Sequence, residues 1–363
     1  MLIQNNKTLR LIQLLRGVAS LLVLLLHITT NITEIFDTQF LGNIFLFGGS
    51  GVDIFFVLSG FIIAYTNKSF LNNASYFYTF IRKRLIRIYP VYWIIISAFL
   101  LLQIILPSFY KSPFELNILN IFFTYFLLPD HVMINGVSWT LTYELYFYFL
   151  FALAFLIRAR KLLWFLSGLY IFLIILNAVT PGHFENKWMQ LVLHPMNVEF
   201  FMGIGVALLV PLISKRFSLP LLIFGALFFI ISAIASNSHL VLFKNDFNRV
   251  VLFGVPAFFI ILGVVKYELA TRVNVHNLLV LLGEASYTLY LFHLPVIAAL
   301  AKIAFKLNLQ NPVWINIIFI FLVILVCAAS IIFYMLVEKP LIKKLNAVSF
   351  PARATAKKAN LIS

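Results

Sequence analysis

The sequence predicts an all-α protein, a polytopic bundle of membrane-spanning helices. Three observations support this fold class. Hydrophobic residues make up 63% of the 363 residues and charged residues only 11%, the mean hydropathy is +1.02, and the apolar residues gather in runs long enough to cross a bilayer. A soluble globular protein is excluded by this composition.

Ten apolar runs are long enough to span, and we predict ten transmembrane helices. Their approximate bounds are 11–31, 44–66, 85–106, 139–157, 162–179, 195–213, 218–235, 248–266, 279–301 and 313–337. An eleventh run, near 118–128, is too short for a comfortable span. It predicts an interfacial or re-entrant helix between the third and fourth spans.

The basic residues predict the orientation of the bundle. With both termini in the cytoplasm, most of the 27 Lys and Arg fall in cytoplasmic segments, as the positive-inside rule requires. One helix more or fewer would invert every later segment and destroy this asymmetry. The net charge of +15 therefore reflects topology rather than nucleic-acid binding. We divide the chain into a membrane domain, 1–345, and a basic cytoplasmic tail, 346–363.

The first span carries two ionisable residues, Arg16 and His27, which are costly in a bilayer. Eleven positions separate them, so at about 100° per residue they project from one helix face, about 16 Å apart along the axis. Such a stripe is a poor surface against lipid and indicates a site inside the bundle. The alternative for His27 is a histidine hydrogen-bonded for packing, but the paired arginine favours a general base.

Counting helix rise from the predicted span ends places the other intramembrane polar residues in two groups. The outer group contains His27, Asp53, Glu144, Glu199 and His293, which we expect to converge on one cavity. The inner group contains Arg16, Arg84 and Arg87 beside Glu284 and Glu338. Because Arg84 and Arg87 are three positions apart on a helix, they point the same way and suit phosphate binding.

Each of these residues also has a structural interpretation. Basic residues at a cytoplasmic helix end such as Arg84 and Arg87 commonly serve topology alone. Glu144 could orient a histidine, position an acceptor hydroxyl or pair with another helix, and Trp139 could be an interface anchor. His293 precedes Pro295 by two positions, and a helix kink there could serve packing only.

Taken together and in order, several motifs resemble the acyltransferase 3 family of integral membrane acyltransferases, especially its exopolysaccharide- and nodulation-factor-modifying members. The matching features are Arg16 with His27, the stretch from Asp53 to Ser59-Gly60-Phe61, Arg84-x-x-Arg87 before Ile88-Tyr89-Pro90, Trp139-Thr140-Leu141-x-x-Glu144, His293 and Glu338. Each motif is weak alone, whereas the ordered set, spread over residues 13–340, is specific.

The resemblance implies an O-acyltransferase of the bacterial inner membrane that moves an acyl group, expected to be acetyl, from cytosolic acyl-CoA to a hydroxyl of a lipid-linked or polymeric glycan. Acyl-CoA would be a co-substrate, with no permanently bound cofactor and no metal, and membrane lipid and the carbohydrate acceptor would be the other partners. The catalytic candidates are His27, Glu144 and Asp53. Arg16, Arg84 and Arg87 are the acyl-CoA-binding candidates, and His293, Trp139 and Glu199 the substrate-binding ones.

A second function class fits the composition equally well. A transporter or flippase for a glycan or a small anion would also have ten helices and buried charges, without bond chemistry. Corresponding Gly- or Pro-broken helices, which an inverted repeat would leave, are not seen in the sequence. If the chain is an enzyme, direct transfer is favoured over an acyl-enzyme because no activated Ser or Cys is visible.

Overall fold

A computed structural model describes residues 9–71, 73–105, 115–129, 133–180, 184–237, 246–307 and 311–349. This part of the chain is helical and contains no β-strand, which confirms the predicted class. The α-helices are α1 (Arg10–Phe36), α2 (Gly51–Asn67), α3 (Tyr76–Ile105), α4 (Ile118–Phe126), α5 (Trp139–Leu153), α6 (Arg160–Val179), α7 (Lys187–Val192), α8 (Asn197–Leu209), α9 (Ser218–Asn237), α10 (Asp246–Arg249), α11 (Val255–Ala270), α12 (Asn277–Glu284), α13 (Ser286–Lys306), α14 (Pro312–Phe333) and α15 (Lys339–Ser349).

Nine helical segments in the described ranges are long and apolar enough to cross a membrane. They correspond to nine of the ten predicted spans, and the fold is a polytopic helical bundle. The remaining predicted span, 139–157, contains α5, whose 15 residues are fewer than the roughly 20 that a helix needs to span. The count of ten and the cytoplasmic termini stay predictions.

Helix α4 is the short helix predicted near 118–128, and it docks on the middle of α3. Three aromatic side chains of α3 donate hydrogen bonds to the carbonyls that end α4: Tyr92 to Thr124 at 2.7 Å, Trp93 to Tyr125 at 3.0 Å and Tyr89 to Phe126 at 3.0 Å. The orphan carbonyls of a helix end are thereby satisfied inside the protein. The chain then continues through a connection with buried residues, among them Ile134 and Asn135, before α5 begins.

Glycines set the closest helix contacts of the bundle. A Cβ on Gly60 of α2 would lie 2.0 Å from the Phe200 carbonyl oxygen of α8, and one on Gly203 of α8 would lie 2.1 Å from that of Val57. Small residues that let backbones touch are a common basis of helix association in membranes. Helices α2 and α8 are therefore fixed against each other, and both carry candidate site residues.

Helix α1 lies at the centre of the bundle, against α2, α12 and α13. Its first backbone N–H groups are capped by the carboxylate of Glu268 at the end of α11, which accepts from Arg10 and from Leu11, the latter at 3.0 Å. A carboxylate at a helix N-terminus also interacts favourably with the helix dipole. The orientation of the Arg16 and His27 stripe is thus fixed by contacts from distant parts of the chain.

The last described helix, α15, runs across the predicted boundary between membrane domain and tail and ends at Ser349. The rest of the predicted tail, 350–363, lies outside the described residues. The division at 345/346 stays a prediction.

Candidate active site

A central cavity of about 160 Å³ lies between α1, α2, α3, α5 and α13. Three arginines line it, namely Arg16, Arg84 and Arg87, together with Glu144. The two arginines of α3 do point the same way, as their spacing predicts. Hydroxyl groups complete the polar part of the lining, which belongs to Ser59, Thr140, Tyr148, Ser286, Tyr287 and Tyr290.

Arg87 is held from two sides. Its Nη1 donates to Glu338 Oε1 at 2.6 Å, and its guanidinium lies over the ring of Tyr287, 5.5 Å from the centroid. The other oxygen of the fully buried Glu338 accepts from Thr288 Oγ1 at 2.6 Å. Glu338 ends a π-helical turn, Tyr334–Glu338, which brings its carboxylate to the arginine.

The other two arginines of the cavity keep their charge available. Arg16 Nη2 donates to the hydroxyl of Ser286 at 3.0 Å, and Arg84 lies between the rings of Phe80 and Tyr148, 5.3 and 5.4 Å from their centroids. Within the described ranges neither arginine forms a salt bridge. The cavity therefore has an excess of positive charge and suits an anionic group.

Glu144 belongs to this cavity and is engaged with neutral donors. Its Oε1 accepts from Ser59 Oγ at 3.0 Å and from the hydroxyl of Tyr148, one turn along α5. The carboxylate thereby ties α2 to α5 across the cavity. It brings negative charge close to the arginines without forming an ion pair with them.

His27 forms a pair with His293 of α13, with ring centroids 5.2 Å apart. The Nδ1 of the fully buried His293 is 3.1 Å from the carbonyl oxygen of Leu289. Since a carbonyl only accepts, Nδ1 carries the proton of this hydrogen bond and Nε2 of the neutral ring keeps its lone pair. That Nε2 is buried and has no hydrogen-bond partner among the described residues.

The central cavity reaches this histidine pair through Tyr290. The tyrosine lines the cavity, and its ring centroid lies 6.0 Å from that of His293. The hydroxyl of Tyr290 is fixed by Thr140 Oγ1 at 2.9 Å and by the carbonyl of Val137. One helix, α1, thus supplies an arginine to the cavity and a histidine to the pair beyond it.

Asp53 and Glu199 form a separate group around Arg249. The arginine makes a bidentate contact to Asp53, with Nη2 to Oδ2 at 2.8 Å and Nε to Oδ1 at 3.1 Å, and donates to the carbonyl of Gly49. Glu199 is fully buried, and neither of its oxygens has a hydrogen-bond partner in the described part of the chain. Among the described residues Asp53 forms its salt bridge with Arg249 and no hydrogen bond with His27.

Trp139 lines a separate cavity of about 340 Å³, which we call the Trp139 cavity. Tyr143, Thr142, Lys187 and Gln190 share its wall. Gly136 also lines it and packs against Leu294, the residue after His293. The cavity therefore lies close to the part of α13 that carries His293.

A comparison with known protein families assigns the chain. The family model described as an acyltransferase domain matches residues 10–333. This range contains the arginines of the central cavity, the histidine pair and the Arg249 group, but not Glu338. The chain belongs to this acyltransferase family. The resemblance to the acyltransferase 3 family is confirmed, and acyl transfer replaces transport without bond chemistry as the function class.

Two relatives give the same picture. Exopolysaccharide production protein ExoZ of Rhizobium meliloti (strain 1021) is 28% identical over 311 residues, which cover 84% of this chain and 92% of ExoZ. Acyltransferase MdmB of Streptomyces mycarofaciens is 28% identical over 314 residues, 78% of this chain and 77% of MdmB. No solved structure matches the chain significantly. This acyltransferase is a multi-pass membrane protein.

The acyltransferase does not gather all five predicted outer residues in one cavity. His27 and His293 meet, Asp53 and Glu199 surround Arg249, and Glu144 joins the arginines. The depth of Glu144 was counted from Trp139 as an outer interface residue. Instead, the start of α5 lies next to Tyr290, which is one helical turn from Ser286. Because Arg16 contacts Ser286, Glu144 falls at the level of the arginines.

Several residues of the acyltransferase site were not predicted from the sequence. Ser59 belongs to the Ser-Gly-Phe motif but was given no role, and Ser286 carries no signal beyond being a hydroxyl in an apolar helix. Arg249 stands at the start of the predicted span 248–266 and was not among the predicted site residues. An intramembrane carboxylate such as Asp53 needs a cation, and that requirement could have directed attention to Arg249.

Proposed function

We propose that this acyltransferase moves an acyl group from acyl-CoA to a hydroxyl of a carbohydrate, and that the chemical step takes place at His27 and His293. The observation that carries the proposal is the continuity along α1. Its Arg16 faces the arginine-lined cavity and its His27 faces the second histidine, and both partners, Ser286 and His293, lie on α13. The cavity for the anionic acyl donor and the histidine that would accept the proton therefore lie along the same helix.

Acyl-CoA is the donor that the central cavity suits. Its phosphates would contact Arg84 and Arg87, because guanidinium groups bind phosphate oxygens in bidentate geometry, and Arg16 adds a third cation. The pantetheine arm would then follow α1 past Tyr290. The axial distance of about 16 Å from Arg16 to His27 matches an extended arm of this kind.

His27 is the proposed general base. The acceptor oxygen attacks the thioester carbonyl while an imidazole nitrogen of His27 takes the hydroxyl proton; the new C–O bond forms, the C–S bond breaks, and the thiolate receives the proton from the imidazolium. His293 acts as a positioning residue. Its Nδ1 donates to the Leu289 carbonyl, which fixes the orientation of the ring and of the lone pair on Nε2. Ser59 contacts Glu144 rather than a histidine, which supports direct transfer.

The other predicted residues have separate roles. We propose that Glu144 shapes the donor cavity through Ser59 and Tyr148, and that Asp53 and Glu199 hold Arg249 in a structural group and do not act on the imidazole. The Trp139 cavity is the proposed acceptor site, because aromatic rings pack on sugar faces and amides bond to sugar hydroxyls. The relative ExoZ is an exopolysaccharide production protein, which supports a polysaccharide-related acceptor. Acetyl as the acyl group and the inner membrane as the location are also part of the proposal.

The test is acetyl-CoA turnover by the purified protein in nanodiscs, followed as free thiol release with cell-envelope glycan as acceptor. We expect release that requires glycan, and a drop of about 10²–10⁴-fold in His27→Ala, the usual contribution of a general base. His276→Asn is the matched control. This exposed histidine accepts from the Leu278 N–H at the start of α12, and asparagine keeps that cap.

Full thiol release by a folded His27→Ala protein would contradict the assignment of the base. Glycan movement across vesicles without any thiol release would contradict acyl transfer from acyl-CoA. Retained activity in His276→Asn would show that the loss of activity in His27→Ala is specific to His27.

A further inference from the structure

A third cavity, larger than the other two at about 690 Å³, opens between α2, α5, α6 and α8. We call it the lateral cavity. The second half of α6 is anchored beside it, because Tyr170 donates to the Val192 carbonyl at 2.5 Å and Asn177 donates to that of Leu193 at 3.3 Å. Ile174 is the one buried residue of α6. The first half of α6, from Arg160, stands away from α5 and α8.

The lining of the lateral cavity combines a long apolar wall with two cations. Phe147, Phe151, Trp164 and Phe201 are among the apolar lining residues, while Lys68 and Arg160 are its charged ones. Lys68 follows α2 and Arg160 begins α6, and the positive-inside pattern places both at the cytoplasmic face. No carboxylate lines the cavity, and neither cation forms a salt bridge in the described ranges.

We propose that the lateral cavity binds one anionic phospholipid, with its headgroup phosphate between Lys68 and Arg160 and an acyl chain along the Phe147 and Phe151 wall. The charge pattern selects this occupant. Basic pockets between membrane helices at the cytoplasmic side bind anionic headgroups, and the apolar wall suits a hydrocarbon chain. A soluble anion would leave the wall exposed, and a neutral lipid would leave two cations unmatched.

The lateral cavity shares walls with the central cavity. Glu144 and Tyr148 of α5 face the central cavity, while Phe147 of the same helix lines the lateral one. Phe147 stacks on Phe200 at 4.3 Å, and Phe200 stacks on Phe56, a lining residue of the central cavity, at 4.5 Å. A bound lipid would therefore pack against the rings that support the donor cavity.

The test is native mass spectrometry of the full chain released from nanodiscs that contain phosphatidylglycerol and phosphatidylethanolamine in equal amounts. We expect preferential retention of one phosphatidylglycerol. Lys68→Gln with Arg160→Gln should reduce that preference by roughly thirtyfold, the loss expected for two interfacial cations. Lys215→Gln with Arg216→Gln is the matched control, since both side chains are exposed and neither lines the cavity.

A second variant tests the apolar part of the proposed site. Ser167→Trp would narrow the cavity and leave both cations in place, so retention of either lipid should fall. Unchanged phosphatidylglycerol retention in the Lys68 and Arg160 double variant would overturn the proposal, as would equal loss in the control. Displacement of phosphatidylglycerol by a polyprenyl phosphate would assign the site to a lipid carrier instead. The readout needs no acceptor and does not depend on the proposed reaction.

Discussion

Two buried salt bridges of similar chemistry lie in different surroundings in this acyltransferase. Arg87 pairs with Glu338 beside two further arginines and a cavity, whereas Arg249 pairs with Asp53 beside a second buried carboxylate, Glu199. In both pairs the carboxylate is fully buried. The first group has cations to spare and the second has carboxylates to spare.

The difference shows that the neighbours of an ion pair decide what it can bind. A buried pair by itself contributes little net stability, because desolvation offsets the attraction. The surplus charge around Arg87 needs an anion, which an acyl-CoA phosphate would supply. The excess of carboxyl groups around Arg249 does not attract an anionic acyl donor, and we interpret that group as structural.

The largest losses of stability are expected when only the arginine of either salt bridge is replaced. Arg87→Gln and Arg249→Gln each leave a buried carboxylate uncompensated, which costs about 3–5 kcal/mol of folding free energy. Both variants should unfold at clearly lower temperature in detergent, followed by tryptophan fluorescence. A wild-type transition for either variant would show that its carboxylate is not buried as described.

Neutralising both members of each pair should separate the two groups. Asp53→Asn with Arg249→Gln is expected to recover both stability and acyl transfer. Arg87→Gln with Glu338→Gln should recover stability only, with the KM for acyl-CoA raised about 10–100-fold, because a charge-assisted bond of about 1.5–3 kcal/mol is lost.

Thermal unfolding and acyl-CoA kinetics, measured on the two single and the two double variants, would show whether the two salt bridges differ in this way. Loss of kcat in the Asp53 and Arg249 double variant would return Asp53 to the chemical step. An unchanged KM in the Arg87 and Glu338 double variant would make that pair structural as well.

A smaller effect is expected at Arg84. Lysine keeps the charge but loses the planar group held between Phe80 and Tyr148. We expect Arg84→Lys to raise the KM for acyl-CoA about fivefold, a loss of ~1 kcal/mol, with kcat unchanged. Lys83→Arg on the same helix is a control of equal charge, because Lys83 does not line the cavity. A fall in kcat alone would contradict a role in donor binding.

The smallest effect is expected at Glu199. Glutamine has nearly the same shape, and neither oxygen of Glu199 has a hydrogen-bond partner to lose among the described residues. Glu199→Gln should therefore change the free energy of unfolding by less than about 1 kcal/mol, since a carboxyl group buried without a cation of its own is neutral and glutamine replaces one neutral group with another. Strong destabilisation, or loss of turnover at full stability, would show that the carboxylate binds a partner or substrate.

The sequence predicted what depends on helix periodicity and missed what depends on chain path. The shared face of Arg16 and His27 and the common direction of Arg84 and Arg87 follow from spacing alone, and the structure agrees. Glu144 was misplaced because the buried connection before α5 shifts that helix along the bundle axis. No local pattern encodes such a shift.

The partners of predicted residues were equally hard to foresee. Arg249 reaches Asp53 from the first turn of the continuous helical segment Asp246–Ala270, and His194 Nε2 contacts Asp246 Oδ2 in the same turn at 3.1 Å. Glu268 caps α1 from more than 250 positions away along the chain. Both contacts join residues that are distant in sequence, and a single sequence contains no record of them.

Both salt bridges lie next to a π-helical turn. Arg249 directly precedes Val250–Gly254, and Glu338 ends Tyr334–Glu338. A π turn contains one residue more than the α-helical turn it replaces, so removing one residue would leave a regular helix. That helix would carry its charged residue rotated by about 100° relative to the following span. Within these two turns chain length, more than the identity of the uncharged residues, directs the charge, so the acyltransferase should tolerate substitution of an uncharged residue of the turn far better than its deletion.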